Sequence, residues 1–153
     1  MSTEQKQTVH DYIARTRVAF LAIDREDHTP TIRPIGSFAP VAPGAIDLFF
    51  SAPRDSEKAR ALRLHPRINF YFQHDGQEIS AYKAVSLIGN ASEVHASTEG
   101  YEQAVAALSA RSPHFKARVE KGELAGTAIF RVTATEVRYS DFAQTRGIQK
   151  IQL

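Results

Sequence analysis

The sequence RDSEK places a serine and a lysine at the predicted start of a short helix, where anionic groups commonly bind. A helix N-terminus presents free backbone N–H groups and a positive potential, and both favour phosphate. Ser56 adds a hydroxyl donor, and Lys58 adds a charge on the first turn. Upstream, Arg33 lies in a predicted strand and could direct its guanidinium into the same cleft. These residues suit a phosphomonoester, but spacing alone does not distinguish this site from a solvated turn with a surface lysine.

The sequence holds no motif for hydrolysis, nucleotide binding or metal binding. It has no G-x-S-x-G, no glycine-rich nucleotide fingerprint and no Walker loop. Cysteine is absent, which excludes thiolate nucleophiles and cysteine metal ligands. Six histidines are scattered along the chain without H-E-x-x-H spacing, namely His10, His28, His65, His74, His95 and His114. We expect them to be surface or hydrogen-bonded residues, and we predict no metal site.

Basic residues beside aromatic ones offer a second interpretation, a surface for single-stranded nucleic acid. Arginines and lysines in RDSEKARALRLHPR precede the aromatic run FYF. On a helix, however, Lys58, Arg60 and Arg63 spread around the axis and do not form one stripe. Asp55 and Glu57 also dilute the positive charge. We therefore expect no nucleic-acid partner.

Composition indicates an ordinary globular protein with one domain over residues 1–153. The chain is 42% apolar and 24% charged, and its net charge of +2 favours neither nucleic acid nor a membrane surface. The N-terminus lacks the apolar segment of a secretory signal, and no apolar run approaches the roughly 20 residues of a membrane span. Because cysteine is absent as well, we expect a cytoplasmic protein.

Periodicity and turn residues predict a mainly β protein, a β-barrel with peripheral helices. Helices are predicted over residues 2–17, 57–64 and 99–111, the last ended by Pro113, with a helical turn over 115–122. Six strands are predicted over residues 18–24, 31–40, 45–52, 67–73, 79–95 and 127–142. Most connections are too short for parallel crossovers, so the barrel should be antiparallel and closed or nearly closed. Gly89 predicts a bend or bulge inside its strand.

Three segments in this order, TIRPIG, LFFSAPRDSEKARALRLHPRINFYF and LIGNASEV, carry a family resemblance. The middle segment is the most specific, with S-x-K between a strand and a helix. The chain resembles the pyridoxamine 5′-phosphate oxidase-like, FMN-binding split-barrel superfamily, in particular its general stress protein 26-like branch. The resemblance implies a six-stranded antiparallel split barrel. It also implies a homodimer with two FMN sites at the subunit interface.

The resemblance assigns FMN contacts to ten residues of this chain. The segment expected along the isoalloxazine and ribityl groups is Arg33, Pro34, Ile35 and Gly36. The aromatic and hydroxyl side chains expected at a strand end beside the cofactor are Phe50 and Ser51. The residues expected at the FMN phosphate are Ser56 and Lys58. The side chains expected to reach the site from the partner subunit are Tyr82 and Lys83, with Gln73 as a weaker candidate near the same edge.

The chain also departs from the oxidase pattern. It has no tryptophan, Glu57 replaces an arginine beside the phosphate-site lysine, and its C-terminal end lacks the pattern for pyridoxal phosphate. Vitamin B6 oxidation is therefore not predicted, although Arg146 and Lys150 could approach an anionic ligand across the interface. We expect an FMN-dependent oxidoreductase with a small unidentified substrate and NAD(P)H as a candidate electron donor. The alternatives are a haem- or deazaflavin F420-binding split barrel and a non-catalytic flavin-binding stress protein.

Overall fold

The computed structural model describes residues 1–144 and 148–153, which form four α-helices and eight β-strands. The helices are α1 (Thr3–Arg15), α2 (Glu57–Leu64), α3 (Tyr101–Arg111) and α4 (Pro113–Glu120). The strands are β1 (Ala19–Asp24), β2 (Pro30–Ile35), β3 (Phe38–Pro40), β4 (Leu48–Pro53), β5 (Arg67–Phe72), β6 (Lys83–Val94), β7 (Thr127–Asp141) and β8 (Ile148–Gln152).

Side-chain caps determine where three of the helices begin. Ser2 and Gln5 form a reciprocal capping box at the start of α1, as the sequence S-x-x-Q favours. Ser56 caps α2 by accepting a hydrogen bond from a backbone N–H of the first turn. Pro113 ends α3 as predicted, but it also occupies the first position of α4, which Ser112 caps. The predicted helical turn is therefore a complete helix that begins at the proline.

The strands form one antiparallel sheet in the order β2-β1-β5-β6-β7-β4-β3, and β8 pairs with the second half of β7. β2 and β3 lie at opposite edges of this order, yet only Gly36 and Ser37 separate them along the chain. Seven strands in a flat sheet would hold these edges about 29 Å apart. Two intervening residues span at most about 11 Å. The sheet must therefore curl until its edges approach each other, which gives the predicted split barrel with peripheral helices.

The predicted number of six strands is wrong for two physical reasons. Residues 31–40 form two strands, because β2 pairs with β1 whereas β3 pairs with β4 across the split. The sequence also gives little sign of β8, since the two isoleucines in Ile148–Gln152 are three positions apart and do not alternate with polar residues. β8 gains its hydrogen bonds from β7 in the folded sheet.

The strand pairing at Gly89 confirms the bulge predicted in the long strand β6. The pairing of β6 with β7 shifts register between Ile88 and Gly89. A Cβ atom on Gly89 would lie 2.2 Å from the backbone oxygen of Thr133, well inside contact distance. The two backbones approach so closely that only glycine fits at this position.

Aromatic side chains fill the interior of the curled sheet. Five phenylalanines are fully buried with ring centroids 5.2 to 5.8 Å apart, namely Phe38, Phe50, Phe70, Phe72 and Phe130. A second apolar cluster packs α3 and α4 against the outer face of β4 and β7 through Phe49, Leu108, Phe115 and Ile129. These two clusters fix the sheet edge and the helices between which a cleft opens. No described helix is long and apolar enough to cross a membrane.

Candidate functional site

A cleft of about 640 Å³ opens where the two edges of the curled sheet approach each other. Its floor is the connection between β2 and β3, and its walls come from the end of α1, the start of α2 and the junction of α3 with α4. The lining residues are Ala14, Arg15, Thr16, Arg17, Pro34, Ile35, Gly36, Ser37, Ser51, Pro53, Lys58, Arg111, Ser112, Pro113, His114 and Arg118. The volume lies in the range of small-molecule and cofactor sites.

Positive charge dominates this cleft. Its cationic side chains are Arg15, Arg17, Lys58, Arg111 and Arg118, and none of the described residues that line it is an aspartate or a glutamate. The first residues of α4 also line the cleft, so the positive end of that helix dipole adds to the potential. Because like charges repel, this arrangement favours an anionic ligand that neutralises several cations at once.

Lys58 is one of the half-buried cations of the cleft. It lies on the first turn of α2, and its ammonium group forms no hydrogen bond or ion pair with another described residue. Burial lowers the pKa of Lys58 below the ordinary lysine value, and the nearby charge of Arg33 lowers the pKa further. The folded chain thus holds an ammonium group partly out of water without a carboxylate beside it. A bound anion would compensate for that cost.

Arg111 positions the wall of the cleft. Its guanidinium donates hydrogen bonds to the backbone oxygens of Phe38, at 2.9 Å, and Ala14, at 3.3 Å, and it also donates to that of Thr16. The guanidinium carbon lies 4.0 Å from the centroid of the Phe38 ring. Burial lowers the pKa of Arg111, which has no ion-pair partner among the described residues. One arginine therefore joins the end of α1 to the sheet edge and keeps its charge at the cleft.

Two serines provide neutral polar groups on the floor. Ser51 Oγ donates a hydrogen bond to Ser37 Oγ at 2.6 Å, and Ser51 N–H donates to the Ser37 backbone oxygen at 3.1 Å. Next to them, the Cα of Gly36 faces open space, since a Cβ there would meet no atom within 4 Å. The backbone of this connection is therefore open to a ligand in the cleft. Of the predicted cofactor contacts, the structure brings together Pro34, Ile35, Gly36, Ser51 and Lys58.

Arg33 does not line the cleft, contrary to the predicted convergence of two cations. Its guanidinium lies 3.8 Å from a carboxylate oxygen of Glu57, which also pairs with Arg25 at 2.7 Å. Arg33 lies on the edge strand β2, and its side chain is exposed. Arg33 affects the cleft only through its charge, which lowers the pKa of Lys58.

Phe50 and Ser56 also lie away from the ligand positions assigned to them. The Phe50 side chain is fully buried and stacks on Phe130 at 5.3 Å, so the alternation of β4 directs it into the core. Ser56 Oγ donates to the backbone oxygen of Pro53 at 2.7 Å and accepts from Ala59 N–H. This serine positions Lys58 by capping α2, and it is not among the residues that line the cleft.

The contacts predicted from a partner subunit lie elsewhere in the chain. Tyr82 and Tyr71 share a hydrogen bond of 3.0 Å between their hydroxyl groups, and Lys83 Nζ lies 4.0 Å from Asp141. Neither Tyr82 nor Lys83 lines the cleft of its own chain. Their contribution to the site of a second subunit, and that of Gln73, stays a prediction. Arg146 lies outside the described residues, and Lys150 pairs with Glu136 at 3.2 Å.

The basic and aromatic residues around α2 do not form a stacking surface. Arg63 Nε donates to Glu93 at 2.8 Å, and Arg54 Nη1 lies 3.4 Å from the same carboxylate. Phe70 and Phe72 are fully buried and cannot stack on bases. The segment that suggested nucleic-acid binding is therefore a salt-bridged helix packed over an aromatic core.

Sequence reasoning missed the cleft residues contributed by other helices. These residues are Ser112, His114 and four arginines, namely Arg15, Arg17, Arg111 and Arg118. The pair of arginines at the end of the first predicted helix was a visible signal of clustered charge. Their convergence with α3 and α4, however, depends on tertiary packing that no local pattern encodes.

The fold and the site define a class: an antiparallel split barrel with a cation-lined cleft at the split. A family model described as pyridoxamine 5′-phosphate oxidase matches residues 5–141, and the chain belongs to this family. The predicted superfamily is thereby confirmed. No match was found among curated proteins.

Solved structures support the same fold. A haem-binding protein of Mycobacterium smegmatis has a TM-score of 0.77 at 16% identity; the match covers 99% of this chain but 58% of that protein. A conserved hypothetical protein of Mycobacterium tuberculosis has a TM-score of 0.74 at 22% identity, with 96% and 89% covered. A Clostridium acetobutylicum protein related to general stress protein 26 has a TM-score of 0.68 at 10% identity, with 100% and 97% covered. Identities this low establish a likeness of fold alone.

Proposed function

We propose that this protein binds FMN in the cation-lined cleft and acts as a flavin-dependent oxidoreductase on a small substrate. The observation that carries the proposal is Lys58, a half-buried ammonium group with a lowered pKa and no anionic partner among the described residues. Its neighbours in the cleft are arginines and not carboxylates. A dianionic phosphate is the ligand group that best matches this charge.

The lining residues fit the parts of FMN in separate ways. The phosphate would lie near Lys58, where the arginines and the start of α4 add positive potential. The polar ribityl chain would meet the hydroxyl groups of Ser37 and Ser51. The ring system would lie along the open backbone at Gly36, on the edge strand side of the split.

FMN, when bound, supplies hydride and single-electron transfer. The chain itself binds and orients the coenzyme, and its cations offset the phosphate charge. His114 is the lining imidazole, so it is our candidate for holding or releasing a proton beside a substrate. NAD(P)H is the electron donor we propose to test first.

We further propose a homodimer in which the partner subunit closes the open side of the cleft. None of the described residues that line the cleft of one chain carries a phenyl or phenol ring on which a flavin could stack. Two exposed apolar side chains, Ile32 at 68% and Leu64 at 59%, are available for burial against a second subunit. The partner subunit's Tyr82 and Lys83 remain our candidates for completing the site.

Haem is the second candidate ligand. It is supported by the haem-binding protein of Mycobacterium smegmatis, whose fold matches this chain. In the cleft, His114 could serve as an axial ligand, and the arginines could pair with propionate groups. The apolar lining is small for a porphyrin, and for that reason we favour FMN.

Fluorescence titration of the apoprotein with FMN tests the proposal. Loss of a charged hydrogen bond costs about 1.5–3 kcal/mol, so Lys58→Gln should weaken FMN binding by roughly 10- to 150-fold. Lys116→Gln, which removes an exposed lysine from α4 outside the cleft, should leave the affinity unchanged. Equal FMN affinity in wild type and Lys58→Gln would remove Lys58 from the phosphate site. A Soret band on addition of haem, with no FMN binding, would favour the second candidate.

A further inference from the structure

Two histidines and an aspartate converge on the side of α2 away from its first turn. Asp24 ends β1, His28 lies in the turn between β1 and β2, and His65 follows the last residue of α2. One potential ligand atom from each lies within 4.8 Å of the other two. The sequence predicted no metal site because these residues belong to no ligand motif. The fold brings together residues from two distant segments.

The turn that carries Asp24 and His28 is fixed by its own backbone. Arg25 N–H donates to the Thr29 oxygen at 3.2 Å, and His28 N–H donates to the Arg25 oxygen at 2.9 Å. His28 has a φ of +64°, which is uncommon for a residue other than glycine. This conformation brings its ring to Asp24, where Nδ1 lies 3.1 Å from Oδ2.

The backbone of His65 is constrained as well. Its N–H donates to the Ala61 oxygen at 2.8 Å and closes α2. The proline that follows disfavours a helical conformation of His65, whose φ and ψ are −129° and 84°. The rings of His28 and His65 lie with their centroids 5.0 Å apart and tilted at 49°. The two imidazole rings therefore lie side by side, close enough to bind one ion between them.

The charges around the aspartate leave it available to a cation. Arg25, its neighbour in sequence, pairs with Glu57 at 2.7 Å and not with Asp24. The polar neighbour of the Asp24 carboxylate is His28 Nδ1, and the side chains of His28 and Asp24 are 72% and 40% exposed, so an ion in water can reach them. Two imidazole nitrogens and one carboxylate oxygen form a donor set common for zinc.

The distances suit such an ion after small side-chain rotations. Zinc bonds of about 2.0–2.1 Å in tetrahedral geometry place ligand atoms roughly 3.3 Å apart. The separation of 3.1 Å between His28 and Asp24 is close to this value, and His65 must move inward by a rotation of its ring.

We propose that Asp24, His28 and His65 form a binding site for a divalent transition-metal ion, zinc above all, with water in the remaining coordination position. The ion cross-links the β1–β2 turn to the end of α2 and so holds that helix against the sheet. Its affinity is modest because His28 is exposed and the other two ligands are only partly buried. The site is separate from the cation-lined cleft, and the proposal is independent of the proposed function.

Metal titration of the untagged protein, stripped with chelator, tests this site. Zinc should raise the melting temperature of the wild type, and EDTA should reverse the rise. Cobalt(II) should produce the visible absorption bands of a four- or five-coordinate ion. Removal of one ligand should weaken zinc binding at least ~10-fold in Asp24→Asn, in His28→Asn, which tolerates the positive φ, and in His65→Gln. His95→Gln, an exposed histidine outside the cluster, should bind zinc as the wild type does.

Chelator-treated samples separate metal binding from a structural role of the rings. If the histidines only pack on each other, the variants should lose stability in EDTA while zinc shifts the melting temperature of wild type and variants equally. That result would overturn the proposal. So would the absence of zinc-dependent stabilisation in the wild type, or loss of zinc binding in His95→Gln to the same extent as in His65→Gln.

Discussion

Lys58 and Arg33 show how two neighbouring cations acquire different roles. Arg33 lies near enough to lower the pKa of Lys58, yet its own charge is balanced by Glu57. Lys58 has no such partner among the described residues and faces the cleft. A sequence shows both charges, but only the fold shows which one is already neutralised. The unpaired cation is the one that we assign to phosphate.

Gly89 provides a residue-scale test of the fold itself. In Gly89→Ala, the new methyl group would collide with the Thr133 backbone oxygen, which cannot rotate away as a side chain can. We expect the free energy of unfolding in urea to fall by about 2 kcal/mol or more. Gly126→Ala is the control, since a Cβ at that position meets no atom within 4 Å. Equal urea midpoints for the two variants would contradict the close approach at the bulge.

The sequence predicted part of the site residue by residue. Lys58, which S-x-K marks at a helix start, and Ser51, which the family resemblance aligns at a strand end, both line the cleft. The resemblance also assigned Phe50 to the cofactor, but its side chain is buried in the core; both faces of β4 are buried, so alternation does not show which face meets the cleft. Arg111 could not be predicted, since its three carbonyl partners come from α1 and the sheet edge.

At the scale of elements, Glu93 connects β6 to the last turn of α2, through Arg63, and to the connection before α2, through Arg54. It accepts a hydrogen bond from Arg63 at 2.8 Å and pairs with Arg54 at 3.4 Å, while its side chain is only 11% exposed. The hydrogen bond from Arg63 is the largest cause of the lowered pKa of Glu93. This network holds α2, and with it Lys58, in a fixed place on the sheet.

The network makes a prediction about acid stability. Because the pKa of Glu93 is lowered by folding, its stabilisation is complete above about pH 4.3, the ordinary glutamate value, and disappears as the pH falls through the folded pKa. Between pH 6 and pH 3.5, the wild type should therefore lose about 1 kcal/mol more unfolding free energy than Glu93→Gln. Urea unfolding at several pH values measures this difference. An exposed control, Glu120→Gln, should keep the acid dependence of the wild type; identical profiles for all three proteins would refute the network.

Helices whose ends are marked by capping residues or proline were predicted well, whereas strands that depend on pairing with a distant strand were not. Ser2, Ser56 and Pro113 mark helix termini through their own chemistry, so the helices begin and end near the predicted positions. The division of residues 31–40 into two strands depends on which edge each half pairs with. β8 likewise exists because β7 extends beyond the end of β4 and offers free backbone groups.

At the scale of the whole molecule, the fold and the cleft have one cause. The short connection between β2 and β3 forces the sheet to curl, and the cleft opens at the split that remains. The N-terminal helix α1 and the later helices α3 and α4 then border the split and bring arginines to it. A fully closed barrel would have no such opening. This is why a protein with a net charge of only +2 holds five cationic side chains in one cleft.

The comparison of FMN with riboflavin tests the central claim most directly, since riboflavin lacks only the phosphate. Equilibrium titration of the apoprotein at low ionic strength would give both affinities. If the cleft binds the phosphate, the wild type should bind FMN at least about 100-fold more tightly than riboflavin. Lys58→Gln should reduce this ratio of affinities by about 10-fold or more. Equal affinities of the wild type for the two flavins would contradict the account.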